Sequence, residues 1–115
     1  MSSCQKIRRN CFISQGGNCY YCQQPMWHDN VEIFCREHHL THRQARLLCV
    51  TAEHLNPKSN GGKNSKSNVV AACYFCNTRR HMTRSAVTPE RHLEKVRGRM
   101  AEGKWHGMRL KPIAV

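Results

Sequence analysis

Two pairs of cysteines have the spacing of a metal-binding knuckle: Cys19 and Cys22 form the first pair, and Cys73 and Cys76 form the second. Two intervening residues let both thiolates of a pair face one ion, and two such pairs make a closed tetrahedral site, which is typical of structural zinc. A redox function would need only one such motif in a βαβ setting. An iron–sulfur cluster also uses four cysteines, but nothing else in the sequence indicates electron transfer. The pattern therefore predicts a structural Zn²⁺ that stabilises a small domain.

An adjacent acid and imidazole, Glu53 and His54, lie between the two cysteine pairs, and Asn77 follows the second pair directly. Carboxylate and amide oxygens suit Mg²⁺ or Mn²⁺ as ligands. An imidazole titrates close to neutral pH, which suits a general base. Hydrolysis of a phosphodiester needs both, because a cation must neutralise charge on the phosphate and a base must take a proton from water. The sequence therefore predicts that these three residues converge in a catalytic site.

The segments around these residues predict a β-hairpin that is crossed by a helix. Residues 47–54 are rich in β-forming side chains, and residues 69–72 predict a short buried strand. Residues 55–67 between them contain Pro, paired Gly, Asn and Ser, which predicts an exposed loop. A helix is expected from about residue 77 to 83. The hairpin then carries the acid–imidazole pair at a strand end, and the first turn of the helix brings an amide towards it.

Further helices are predicted on both sides of this core. Residues 29–48 have apolar side chains at roughly helical spacing, with Asp29 or Asn30 as the first cap and Thr41 as the cap of a second short helix. Thr88, followed by a proline and a glutamate, is a typical helix start.

The chain of 115 residues fits one domain. We divide it into a basic N-terminal segment, a core, and a basic C-terminal helix and tail, at residues 1–18, 19–83 and 84–115. The N-terminal segment is expected to be a disordered tip followed by a short strand or turn. The predicted fold class is α+β, with a small ββα core, a structural four-cysteine zinc site and flanking helices.

These residues resemble the HNH endonucleases, a family with a ββα-metal, treble-clef-like fold and a branch stabilised by four zinc-binding cysteines. The matching residues, in chain order, are Glu53-His54, then Asn68, then Asn77, and the resemblance covers roughly residues 19–83. It implies that His54 activates the attacking water, and that Glu53 and Asn77 bind one catalytic divalent metal. It also implies that Asn68 orients the loop through side-chain bonds to the backbone. The family often has Asp in place of Glu53 and His in place of Asn77.

The charge of the chain predicts a polyanionic partner. Lys and Arg number 19 against 7 Asp and Glu, a formal net charge of +12. DNA is the expected partner and RNA the alternative, whereas an anionic membrane is disfavoured because no strongly hydrophobic helix face accompanies the charge. Arg79 and Arg80 on the predicted helix, and Lys58 and Lys63 on the loop, are the candidate phosphate contacts. A solvated basic surface is the other interpretation of these four residues.

Several other side chains have a second interpretation. Cys35 and His38 have ligand spacing, but a buried cysteine on a helix is the favoured reading. His81, one turn after the proposed metal ligand of the helix, either supports the site by a hydrogen bond or lies on the surface. Trp27 and Trp105 are expected to pack in the fold rather than to stack on bases.

Two other functions remain open from the sequence. A zinc-dependent nucleic-acid-binding module without catalysis would need the cysteines and the basic tail but not His54. A zinc-stabilised adaptor for another protein would leave the charge unexplained. The chain shows neither a secretory signal nor a long apolar run, so a cytoplasmic, bacterial or phage-like setting is expected. We expect a monomer or weak dimer, with a larger protein partner left open.

Overall fold

The computed structural model describes residues 2–83 and 85–110. The described elements, in chain order, are α1 (Ser3–Ser14), α2 (Val31–His38), α3 (His42–Arg46), β1 (Val50–His54), β2 (Val69–Cys73), α4 (Tyr74–Arg80) and α5 (Pro89–Glu102), with a short 3₁₀ turn at Lys58–Asn60. The predicted α+β class is confirmed. The predicted basic tail includes Arg84 and residues 111–115, which lie outside the described residues.

Strands β1 and β2 form an antiparallel hairpin, in which Val50 pairs with Cys73 and His54 pairs with Val69. The loop between them is closed by a bond from the backbone N–H of Leu55 to the carbonyl of Asn68. Gly62 is required in this loop, because a Cβ there would lie 1.7 Å from the carbonyl oxygen of Asn56. The glycine pair that predicted a loop thus also allows the two backbone segments to approach each other.

Helix α4 begins three residues earlier than the predicted start near residue 77. The side chain of Cys73 accepts a hydrogen bond from the backbone N–H of Cys76 and so acts as the N-cap. The predicted caps of α2, α3 and α5 are present: Asn30, Thr41 and Thr88 each accept a backbone N–H of the first helical turn.

Helix α1 contradicts the expectation of a disordered tip and a short strand. Ser2 and Gln5 form a capping box at its start, and the helix packs across the hairpin. Immediately after the helix, the side chain of Gln15 donates to the carbonyl of Ala71 at 2.8 Å and accepts from its N–H at 2.9 Å. Gln15 therefore satisfies backbone groups at the outer edge of β2, as a third strand would.

The buried core is small and includes the four cysteines of the two pairs. Its largest fully buried apolar side chains are Tyr21, Leu48, Val69 and Val96. Trp27 and Trp105 pack against it, as expected, and so does Cys35. Among the described residues, no helix has the length and apolar character that a membrane crossing needs.

Candidate functional site

The sulfurs of Cys19, Cys22, Cys73 and Cys76 all lie within 4.8 Å of one another, and all four residues are buried. They come from two distant segments, the first knuckle before α2 and the junction of β2 with α4. A tetrahedron of sulfurs around zinc has edges of about 3.8 Å if each Zn–S bond is about 2.3 Å. The 4.0 Å between the sulfurs of Cys22 and Cys73 is close to that value. The four cysteines therefore fit a zinc ion.

Backbone N–H groups also point at these sulfurs, as expected for thiolate ligands. The N–H of Cys73 donates to the sulfur of Cys19 at 3.3 Å, and the N–H of Cys76 donates to the sulfur of Cys73 at 3.4 Å. Hydrogen bonding from Cys19 and its neighbours lowers the pKa of the Cys22 thiol, whereas hydrogen bonding to Cys19 raises that of Cys76. A cation that enters this cluster replaces the protons that the four thiols share.

The carboxylate of Glu53 is buried, with 1% of the residue exposed, and both of its oxygens have partners. The hydroxyl of Tyr21 donates to Oε2 at 3.0 Å, and Nη1 of Arg80 lies 3.2 Å from the same oxygen. Nε2 of His81 lies 2.9 Å from Oε1. Burial, and then the charge of Glu53, raise the pKa of the Tyr21 phenol, so Tyr21 stays a donor. Since Tyr21 lies between Cys19 and Cys22, the first knuckle directly contacts Glu53.

Arg80 occupies a different place from the DNA-facing surface predicted for it. Only 2% of it is exposed. Its Nε donates to the carbonyl of Val87 at 2.8 Å, Nη1 donates to that of His54 at 3.0 Å, and Nη2 donates to that of Leu55 at 2.8 Å. The physical reason is the buried carboxylate of Glu53, which needs a cation beside it. Arg80 is therefore engaged with protein acceptors at the end of β1.

The side chain of His54 contacts the loop rather than Glu53. Its Nε2 lies 2.7 Å from the amide oxygen of Asn64. An amide oxygen only accepts, so Nε2 carries a proton and the neutral ring keeps its lone pair on Nδ1. Asn68 bonds the loop backbone three times: it accepts from the N–H of Asn56 and donates to the carbonyls of Asn56 and Lys63. The catalytic roles of His54 and Asn68 stay predictions.

Asn77 lies against β1 on the same side as Glu53. Its amide nitrogen donates to Oγ1 of Thr51 at 3.0 Å and to the carbonyl of Ala52 at 3.4 Å. Helix α4 therefore brings Asn77 and Arg80 to the strand residues Thr51 and Glu53, which share one face of the hairpin because strand side chains alternate. His54 is offset from this face, at the strand end.

The remaining candidate phosphate contacts are exposed. Lys58 and Lys63 lie on the loop, and Arg79 lies on α4. The guanidinium of Arg79 stacks 4.6 Å from the ring centre of Phe75, which restrains it on the helix surface. These three side chains are accessible to a phosphate, in contrast to Arg80.

Sequence reasoning missed Tyr21 and Asn64, and it left His81 undecided. Tyr21 lies between Cys19 and Cys22, and the spacing of the two cysteines carries no information about the residues between them. Asn64 lies in a loop whose polar residues are individually uninformative. His81 is four residues after Asn77, and this helical spacing is the signal that indicated a supporting hydrogen bond.

A hairpin crossed by a helix, with a four-cysteine cluster beside it that fits zinc, defines a small ββα protein. The sequence model of the family described as HNH endonuclease matches residues 19–83, more than half of the chain. The chain therefore belongs to the HNH endonuclease family. Neither the curated proteins nor the solved structures contain a match to it.

Proposed function

We propose that the protein is an endonuclease that hydrolyses the phosphodiester bonds of DNA, with His54 as the general base. The contact between His54 and Asn64 is the observation that carries this proposal, because it gives Nδ1 the lone pair that a base needs. The ring is held at the end of β1, next to a loop that bears exposed lysines. A water beside Nδ1 loses its proton to His54 as its oxygen attacks the phosphorus. The bond from phosphorus to the leaving oxygen breaks, and that oxygen takes up a proton from solvent.

Glu53 and Asn77 would hold one divalent cation, Mg²⁺ or Mn²⁺, through a carboxylate and an amide oxygen. When bound, such a cation neutralises charge on the phosphate and on the leaving oxygen. Oε1 of Glu53 contacts only His81 among the described residues, and a carboxylate oxygen has a second lone pair to offer. Arg80 and Tyr21 both contact Oε2, which supports Oε1 as the atom directed to the cation.

The charge distribution supports DNA as the substrate. The net charge of +12 favours a polyanion, and Lys58, Lys63 and Arg79 are exposed near the hairpin and α4. A site this small makes few base contacts, so we propose low sequence specificity. One site nicks one strand, and cleavage of both strands then needs two encounters or a dimer.

The test is plasmid cleavage by wild-type protein and His54→Ala, each with EDTA, Mg²⁺ or Mn²⁺, after zinc content and folding are checked. We expect cleavage only with added divalent metal and a rate loss of about 10²- to 10⁴-fold in His54→Ala, the usual contribution of a general base. His42→Ala is the matched control, since His42 is 60% exposed and lies on α3. Equal rates for His54→Ala and His42→Ala would remove His54 from the mechanism.

A second candidate is a zinc-dependent nucleic-acid-binding module without catalysis. One observation favours it: both oxygens of Glu53 already contact protein donors. Under this alternative, neither the wild type nor His54→Ala cuts DNA or RNA with any metal. Both bind nucleic acid with an affinity that falls steeply as the salt concentration increases. The same plasmid and a fluorescent oligonucleotide therefore distinguish the two functions.

A further inference from the structure

The segment after α5 returns to the four-cysteine cluster. Arg109 bonds the last turn of α5, with Nη2 donating to the carbonyls of Met100 and Ala101. The backbone N–H of Leu110 donates to the side chain of Gln24, two residues beyond Cys22. Residues 103–110, here called the C-terminal segment, thus connect α5 with the first knuckle.

Trp105 in this segment donates to a zinc-ligand sulfur. Its indole Nε1 lies 3.2 Å from the sulfur of Cys76. The ring packs edge-on against Phe75 at 5.0 Å and also contacts His92, at 5.9 Å between ring centres. An indole N–H can only donate, so the sulfur of Cys76 is the acceptor in this contact.

The neighbouring His106 packs edge-on against the same Phe75, at 5.6 Å between ring centres. Its Nδ1 accepts the backbone N–H of Met108 at 3.1 Å. This bond within the C-terminal segment restrains the backbone next to Trp105.

We propose that the C-terminal segment completes the zinc site, with the indole N–H of Trp105 stabilising the Cys76 thiolate when the ion is bound. Four thiolates around Zn²⁺ carry a net charge of −2, which a buried site must offset with donors. Backbone N–H groups donate to Cys19 and Cys73. Trp105 supplies a side-chain donor to a third sulfur, that of Cys76. This inference rests on the zinc site and not on nuclease activity.

Zinc affinity of the full chain is the first readout, measured by competition with a chromogenic chelator. Trp105→Phe removes the N–H and keeps an aromatic ring. We expect it to weaken zinc binding about 10- to 100-fold, the usual effect of losing a partner of a metal ligand. Trp27→Phe is the matched control, because Trp27 donates to the carbonyl of Ala45, away from the cluster.

Cobalt(II) substitution gives a second readout that packing alone does not move. A hydrogen bond stabilises the sulfur lone pair, so its loss should shift the thiolate-to-cobalt charge-transfer band of Trp105→Phe to longer wavelength, with no shift in Trp27→Phe. Unchanged zinc affinity and an unchanged band in Trp105→Phe would overturn the proposal. That result leaves the plasmid assay unaffected, so the two proposals fail separately.

Discussion

Replacing Arg80 with alanine is expected to destabilise the protein strongly. The substitution leaves the carboxylate of Glu53 buried without its cation, and it removes donors from the carbonyls of Val87, His54 and Leu55. Removing one partner of a buried ion pair costs about 3–5 kcal/mol. A small domain has about 5–15 kcal/mol of stability in total. Arg80→Ala therefore loses a large fraction of the free energy of unfolding.

Arg79 provides a control one residue away on the same helix. Its guanidinium is exposed and stacks on Phe75, and such a contact contributes about 0.5–1 kcal/mol at an exposed site. The two variants lose the same side-chain type and the same charge. A difference of several kcal/mol between them would therefore measure burial and partners rather than charge.

The assay is urea unfolding of wild type, Arg80→Ala and Arg79→Ala at saturating Zn²⁺, because zinc binding contributes to the free energy of unfolding. In a thermal scan, about 3–5 kcal/mol corresponds to about 12–20 °C for a domain of this size. Glu53→Gln combined with Arg80→Ala should cost less than the sum of the single changes, since the unpaired charge is then absent. If the free energy of unfolding of Arg80→Ala lies within about 1 kcal/mol of that of Arg79→Ala, the buried pair of Arg80 and Glu53 does not stabilise the fold as argued.

Three further predictions concern neighbouring residues. Tyr21→Phe removes one hydrogen bond to the Glu53 carboxylate and should cost about 1.5–3 kcal/mol in urea unfolding; a larger loss than in Arg80→Ala would contradict the ranking. Asn68→Ala removes three bonds to the loop backbone, and we expect about 10²-fold slower plasmid cleavage with little change in DNA affinity. Burial lowers the pKa of His92 from its ordinary value of 6.5. The unfolded chain then protonates first, so stability is full above about pH 6.5 and decreases as the pH falls through the folded-state pKa. Unfolding measured from about pH 8 to pH 5 should show a shallower decrease in His92→Gln, and equal slopes would refute this.

Local patterns in the sequence were sufficient for the four-cysteine cluster, the hairpin and most helix starts. Two Cys-x-x-Cys pairs have few alternative uses in a small basic chain, and caps such as Thr41 and Thr88 act on N–H groups only a few residues away. The order of Glu53-His54 and Asn68 between the cysteine pairs, with Asn77 directly after the second pair, was sufficient for the family, and the match to residues 19–83 confirms it.

Long-range contacts decided what the local patterns did not determine. Helix α1 forms on a polar, basic segment because it packs against the hairpin. Gln15, directly after the helix, bonds the unpaired backbone edge of β2. Helix α4 begins earlier than predicted because Cys73 caps it, and the Cys-x-x-Cys spacing does not reveal this role.

The sequence by itself determined which side chains are available for chemistry, and the tertiary structure decided which of them contact each other. Arg79 and Arg80 are identical in type and adjacent in the chain, yet one is exposed and the other is buried against Glu53. Trp105 lies 29 residues from Cys76 and still donates to its sulfur. Burial and hydrogen-bond partners depend on how distant segments pack, and that packing minimises unpaired buried charge over the whole fold rather than within any one motif.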